Sequence, residues 1–371
     1  MKHIDEYRKR ELGEGLVKKI RALSTREHRI MEICGTHTHA ISRHGVRRAL
    51  KGAVKLISGP GCPVCVTSTA DVNRAIELVS TRQGVIMATF GDMMRVPGTS
   101  SSLEVEKAGG ADVRVVYSPL DSLGMAAENP SKEVVLFAVG FETTAPTIAA
   151  TILRAKVLGL KNFSAFALPK LTPPAMKALL DSGETEPESR IDAFLAPGHV
   201  TAVIGADAYK FLALDYRSPC VVAGFEPIDA LHGLHMLVSQ LEEGRAEIEI
   251  QYKRVVTAQG NALARKTTAT VFETADAAWR GIGVIPQSGL RINEEFSEFD
   301  AEKRFSMPMA RETADPHGCA CAKVLKGLIA PDACQLFAKA CTPATPAGPC
   351  MVSSEGTCAA YYKYELVEKA S

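Results

Sequence analysis

Short apolar runs alternate with helix-length amphipathic segments along the first two-thirds of the chain. Arg29–Cys34, Val54–Ser58, Val85–Phe90 and Val113–Tyr117 read as strands. Thr69–Arg82 and Ser101–Ala108 supply helices between them. Beyond the turn signal Glu128-Asn129-Pro130 a second cycle begins, with strands at Val134–Val139, Phe163–Leu168, Ile191–Leu195 and Cys220–Ala223. Helices fill Thr147–Leu158 and Pro173–Asp181, and the polar run Ser182–Arg190 reads as a solvated loop. Strands of four to six apolar residues separated by helix-length segments are the pattern of a parallel α/β sheet.

The periodicity predicts two similar open parallel-sheet α/β modules, residues 29–130 and 131–230. Before them, residues 1–28 form an amphipathic helical segment with Ile4, Tyr7, Leu12, Leu16 and Ile20 on one face, expected to pack on the tail. After them, residues 231–371 lose the alternation, apart from a helix at Leu231–Glu243. This tail is expected to be a mostly helical or irregular cysteine-rich domain, its small core stapled by a metal centre. Gly140-Phe141-Glu142-Thr143 echoes Gly224-Phe225-Glu226-Pro227, each after a valine-rich run; duplication and convergent strand–turn chemistry both account for it.

Charge narrows the function classes. The 371 residues carry 43 Lys and Arg against 42 Asp and Glu, so neither a basic nucleic-acid binder nor an acidic disordered chain is expected. The polar start Met1–Arg10 lacks the apolar stretch of a signal peptide, and runs such as Val134–Gly140 are far too short to cross a bilayer. A cytoplasmic location is expected, where ten cysteines serve as ligands, redox groups or buried side chains rather than as a disulfide framework. No GxGxxG or P-loop sequence is present at the glycine turns Gly59–Gly61 and Gly140–Ala145.

Six cysteines fall in the tail: Cys319, Cys321, Cys334, Cys341, Cys350 and Cys358. Thiolates are soft ligands for zinc or an iron–sulfur cluster. No closely spaced Cys-x2–4-Cys ligand pair of the structural-zinc kind occurs here, so spacing leans toward a cubane held by several loops. Spacing does not choose four ligands from six; a leftover pair would serve as a dithiol/disulfide.

Two more cysteine motifs follow predicted strands. Cys34-Gly35-Thr36-His37-Thr38-His39 presents a thiol able to bind a soft metal or act as a nucleophile, with His37 and His39 as ligands, proton carriers or ordinary hydrogen-bonding groups. Gly59-Pro60-Gly61-Cys62-Pro63-Val64-Cys65 puts two sulfurs within disulfide reach across a glycine-permitted tight turn. A redox pair is the first reading, and half a zinc site completed by Cys34 and His37 the second. If Cys65 opens a helix, the helix field favours its thiolate.

The motifs taken in order resemble the HypD family of hydrogenase maturation proteins over essentially the whole chain. The resemblance rests on the two cysteine motifs, Gly140–Pro146, Pro197-Gly198-His199-Val200, Gly224–Pro227, Cys319-Ala320-Cys321 and Met351–Cys358. It implies assembly of the Fe(CN)2CO group of [NiFe]-hydrogenase, on a complex with the chaperone HypC and with cyanide delivered through HypE. It further implies Cys34 as the iron-holding thiol, Cys62 and Cys65 as a redox pair, and Cys319, Cys334, Cys341 and Cys358 as ligands of a [4Fe–4S] cluster. Cys321 and Cys350 remain as the thiol pair beside that cluster. His37, His39 and His199 are expected to serve bound cyanide, with Glu142 and Thr143 completing the polar cleft; the plain alternative for Glu142 is capping a helix N-terminus. Ala322 stands where many relatives carry glycine, which matters only if that backbone needs a left-handed φ or close approach to the cluster. Two alternative functions stay open: an iron–sulfur-linked thiol oxidoreductase acting on another protein, and a zinc-stapled scaffold.

Overall fold

A computed structural model describes residues 9–185, 190–308 and 318–366. Its strands in chain order are β1 (His28–Glu32), β2 (Val54–Ser58), β3 (Val85–Thr89), β4 (Val113–Val115), β5 (Glu133–Gly140) and β6 (Phe163–Pro169). They continue with β7 (Ala193–Pro197), β8 (Cys220–Ala223), β9 (Ile248–Ile250), β10 (Phe272–Trp279) and β11 (Gly283–Ile292). Two parallel sheets result, ordered β2-β1-β7-β8-β9 and β4-β3-β5-β6, with β10 and β11 forming an antiparallel hairpin. The expected α/β class holds, with two parallel-sheet modules and a cysteine-rich region near the C-terminus.

β5 shows why these strands read as unbroken apolar runs. Val134, Leu136 and Ala138 face one core, while Val135, Phe137 and Val139 face another. A strand covered on both faces has no polar side to alternate with. Each fully buried side chain of this size contributes roughly 1.5–3 kcal/mol relative to exposure. Register is fixed by those faces, with Met87 opposite Val135 and Leu136 opposite Ala165 in one sheet and Ile30 opposite Leu56 in the other.

The sheets do not follow the division at residue 130. The chain leaves the first sheet after β2, builds the whole second sheet from β3 to β6, and returns at β7. Strands expected in separate modules therefore pair: β3 with β5, and β1 with β7. Burial decides this, because β5 needs a neighbour on each edge and β3 and β6 supply both.

The ends of the chain also sit differently from expectation. Helix Arg10–Leu23 buries Ile20 in the core of the first sheet, among Ile30, Leu56 and Leu234, rather than on the cysteine tail. Its Gly13 faces Leu231 of helix Pro227–Glu242, which covers the same sheet and makes a poor boundary at residue 230. Ile4 and Tyr7 lie outside the described residues. In residues 231–308, β9 extends the first sheet, and the β10–β11 hairpin packs Phe272, Leu290 and Ile292 against the second. Helix Thr172–Thr185 occupies the start of the expected Ser182–Arg190 loop, and residues 186–189 are outside the described set.

Both sheets wind alike. Each places its first strand inside, its second at the edge, and the third beside the first. In such sheets ligands bind beyond the carboxyl ends of the strands where the winding reverses. For the first sheet that point lies between β1 and β7, followed by Cys34 and by Gly198-His199. The Gly140 and Gly224 echoes follow β5 and β8, the third strand of one sheet and the fourth of the other, so they are not topological equivalents.

Candidate functional site

Cys34 ends the β1 segment and caps helix Gly35–Arg43, with extended φ and ψ. It is only 2% exposed, and burial is the main reason its thiol is pushed up to about 12. The charges of Glu355 and Glu32 add to that rise, while the backbone N–H of His37 and the Thr36 hydroxyl act against it. The surroundings are polar, not an apolar core: His199 Nδ1 lies 3.9 Å from the Cys34 sulfur. His37 is fully buried and donates from Nε2 to the Gly224 carbonyl at 2.8 Å, which leaves its Nδ1 as a lone pair. That Nδ1 has no partner among the described residues. Burial lowers both His37 and His199 to about 4, so both rings are neutral at physiological pH. Phe225 lies against both rings, at 4.8 and 5.0 Å between centroids.

The Gly59–Cys65 segment follows β2 at the point where the chain crosses between sheets. Its glycines are required by close approach, since neither Gly59 nor Gly61 has a positive φ. A Cβ on Gly61 would stand 2.2 Å from the Cys34 nitrogen, and Gly35 N donates to Gly61 O at 3.0 Å. The two cysteine loops are thus in direct backbone contact. Cys62, rather than Cys65, caps the short helix Pro63–Val66, with its sulfur accepting from Cys65 N at 3.3 Å. Pro63 sets this register, because proline with its fixed φ favours the first helical position. Cys65 lies inside that turn, fully buried, and burial raises its thiol well above the usual value.

The six tail cysteines surround one cavity, otherwise walled mainly by apolar groups such as Val324, Leu336, Phe337 and Met351. The Cys321 and Cys350 sulfurs stand 2.6 Å apart with both side chains buried, and each also reaches a further tail thiol, Cys319 and Cys358 respectively. Cys319, Cys334, Cys341 and Cys358 remain around the wall, three of them partly exposed. Cys341 accepts from Ala347 N at 3.3 Å. Among the described residues no three His, Cys, Asp or Glu groups converge as a single-ion site. Mononuclear zinc would draw its sulfurs to about 2.3 Å from one point; thiols spread around a cavity suit the larger body of a cluster, so this donor set fits one. Ala322 sits in helix Cys321–Leu325 without a positive φ, so its methyl group is accommodated.

The two cysteine pairs meet. The Cys65 thiol points at Pro349 O, 3.8 Å away, and lies within hydrogen-bonding reach of Cys350. Cys62, Cys65, Cys321 and Cys350 belong to one buried cluster with Phe141 and Trp279, the ends of the second sheet and the hairpin. Sulfur positions therefore run from the Cys34 loop through Cys62 and Cys65 to Cys350, Cys321 and the cavity.

Two expected site residues, His39 and Glu142, face elsewhere. His39 turns to the tail, with Nδ1 at 3.3 Å from Ser354 O and Nε2 at 3.2 Å from the Tyr364 hydroxyl. Glu142 is buried and accepts from Thr172 N and Oγ1, both at 2.7 Å, at the start of helix Thr172–Thr185. This is the capping alternative, although the helix capped is not the one that follows Glu142 in sequence. Burial raises its carboxyl to about 7, against the hydrogen bonds from Thr172. Thr143 is half-buried beside it.

Sequence reasoning passed over several residues that shape the Cys34 crevice. Glu32 is fully buried under it, accepting from Thr38 Oγ1 and from Ser58, and Arg47 stands 4.0 Å away. Burial raises Glu32 to about 7. Glu355 accepts from Thr36 Oγ1 at 2.7 Å. Asp229, also buried, holds Gln251 and Arg254 and packs against the Gly224 loop that orients His37. The available signal was a carboxylate in or beside each of three motifs: Glu32 two residues before Cys34, Glu355 three before Cys358, and Asp229 two after Gly224–Pro227.

Comparison with known proteins covers nearly the whole chain. Residues 11–365 match the sequence model of the family described as "HypD: Hydrogenase formation hypA family". The hydrogenase maturation factor HypD of Azotobacter vinelandii is 48% identical over 98% of this chain and 97% of its own length. The hydrogenase expression/formation protein HupD of Azotobacter chroococcum mcd 1 is 48% identical, covering 100% and 99%. The hydrogenase maturation factor HypD of Escherichia coli (strain K12) is 46% identical, covering 99% of each chain.

Proposed function

The chain belongs to the HypD family of hydrogenase formation proteins, and from that premise we propose that it assembles the Fe(CN)2CO group on Cys34. In this reading it works in the cytoplasm with HypC, whose own thiol shares the iron, and receives cyanide through HypE. The observation that carries the reading is the placement of Cys34: a thiol at the reversal point of the first sheet, at a helix start, with His199 Nδ1 at 3.9 Å and the backbone N–H of His37 on the sulfur.

The chemistry follows from that crevice. Burial keeps the Cys34 thiol protonated in the absence of metal, so iron must displace the proton, and the backbone N–H of His37 aimed at the sulfur then stabilises the thiolate. Neutral His37 and His199 are available to accept that proton or to hydrogen-bond a cyanide nitrogen. Glu142 contributes at a distance by fixing the start of helix Thr172–Thr185, and His39 by docking the Cys34 helix on the tail.

A [4Fe–4S] cluster held by Cys319, Cys334, Cys341 and Cys358 would supply one-electron chemistry beside the buried dithiol. Pairing of Cys321 with Cys350 supports this choice of four from six. The thiols themselves can pass two electrons onward. Cys350 thiolate attacks Cys65 of a Cys62–Cys65 disulfide, releasing Cys62; Cys321 then attacks Cys350, forming the Cys321–Cys350 disulfide and releasing Cys65. Contact between Cys65 and Cys350 supports this exchange without domain motion.

The test combines iron, sulfide and zinc contents with infrared spectra, with and without HypC. Cyanide and carbonyl bands should appear in the complex and vanish in Cys34→Ser while tail iron and sulfide persist. Undiminished bands in Cys34→Ser would refute the assignment. Zinc without sulfide in the tail would refute the cluster.

A further inference from the structure

From the contacts between the Cys34 helix and the tail, we infer that Glu355 is a positioning residue that ties the Cys34 crevice to the filling of the cysteine cavity. Glu355 lies in the short segment between Cys350 and Cys358, both of which line that cavity. Its carboxylate Oε1 accepts from Thr36 Oγ1 at 2.7 Å, two residues beyond Cys34. The approach is closer than any side chain on Gly35 would allow, because a Cβ there would stand 2.5 Å from Glu355 Cβ and 2.7 Å from its backbone oxygen. On the tail side the segment is equally tight: a Cβ on Gly356 would stand 2.2 Å from Cys350 O. Two flanking contacts hold the same helix, from His39 to Ser354 O at 3.3 Å and from Ser42 Oγ to Glu365 at 2.9 Å.

A segment with a cavity cysteine at each end, Cys350 and the expected cluster ligand Cys358, and with the Cys34 helix held at its middle transmits displacement, since neither contact has slack. When the cavity thiols are held by a metal centre, the segment is fixed and Glu355 keeps Thr36 and Cys34 in place. When they are free, the segment loosens and the crevice opens more often. The iron-accepting thiol is thereby formed in its productive geometry only in a protein whose tail is complete. This rests on the reading of Cys34 and of the cavity given above, and it adds a residue that reading does not use.

The experiment measures opening at Cys34 without any Fe(CN)2CO. Full-length protein is prepared anaerobically, either loaded with iron(II) and sulfide or stripped by chelator, and Cys34 alkylation by iodoacetamide is timed by peptide mass spectrometry. Labelling of a buried thiol follows the population of locally opened molecules. Stripped wild-type protein should label about tenfold faster than loaded protein, the worth of one charge-assisted hydrogen bond. Glu355→Ala should reduce that ratio to about twofold or less by accelerating the loaded form, with the visible absorbance of the loaded tail unchanged. Glu355→Gln, whose amide oxygen still accepts from Thr36, should restore most of the ratio. Thr36→Val, nearly isosteric, reproduces the alanine effect and serves if Glu355→Ala does not fold.

A wild-type ratio near one, an undiminished ratio in the alanine and valine variants, or a glutamine variant no better than alanine would each overturn the role of Glu355. None of these outcomes touches Cys34 as iron ligand, which the infrared bands of Cys34→Ser judge separately.

Discussion

Replacing Gly61 by alanine adds one methyl group at the contact between the two N-terminal cysteine loops. That methyl carbon would stand 2.2 Å from the Cys34 nitrogen, 2.5 Å from its Cα and 2.5 Å from the Ile33 carbonyl carbon. All three are backbone atoms, so no side chain can rotate away and one loop must move. Overpacking of this kind costs about 1–3 kcal/mol, and separation of the loops strains the 3.0 Å bond from Gly35 N to Gly61 O, worth about 1 kcal/mol. A destabilisation of about 2–4 kcal/mol follows. Gly15 provides the control, since a Cβ there meets nothing within 4 Å and its φ is not positive. Gly15→Ala, inside helix Arg10–Leu23, should stabilise by about 0.5–1 kcal/mol. Urea unfolding of the three proteins in parallel reads both signs, with the slope checked for constancy. If Gly61→Ala unfolds at or above the wild-type midpoint with an unchanged slope, the loops are not packed backbone to backbone.

Three further outcomes are expected. The Glu142 carboxyl is raised to about 7 from an unfolded value near 4.5, so the folded state holds the extra proton between those values and stability falls as pH rises through that window. Relative to Glu142→Gln, wild-type protein should therefore lose about 1–3 kcal/mol between about pH 5 and pH 8, and parallel curves in denaturant titrations would refute this. In the Cys62→Ser, Cys321→Ser double variant, oxidation of the metal-stripped protein should trap a Cys65–Cys350 disulfide, visible by peptide mapping, because both resolving thiols are gone; finding Cys65 and Cys350 both unpaired would contradict their adjacency. Serine at Cys341 should lower tail iron and sulfide by about tenfold or more while serine at Cys321 leaves them within about twofold, and equal losses would show that the ligand set has been misassigned.

Strand positions were legible in the sequence because they depend on local burial. β2 and β8 fall where the apolar runs Val54–Ser58 and Cys220–Ala223 begin and end. β9, in contrast, hides inside the charged stretch Arg245–Arg254, because a three-residue edge strand carries little apolar signal. The β10–β11 hairpin escaped for a similar reason, with only the end residues Phe272 and Trp279 of β10 buried and those between them partly or fully exposed. The candidate site divided in the same way. Cys34 and Cys62 announce themselves by residue type and by the strand before each, whereas His39 and Glu142 carry the same kind of signal and face other partners.

By itself, then, the chain's order of residues determined an α/β protein with parallel sheets, a thiol-rich tail, and membership of a family through motifs in sequence. Only the tertiary structure decided that the second sheet is inserted within the first, since pairing depends on which faces can be buried together. Only it brought the Cys321 and Cys350 sulfurs to 2.6 Å across 29 positions of chain, and Cys65 to Pro349 across 284. Such contacts arise where loops from different sheets and the tail converge, and no periodicity within a dozen residues encodes them.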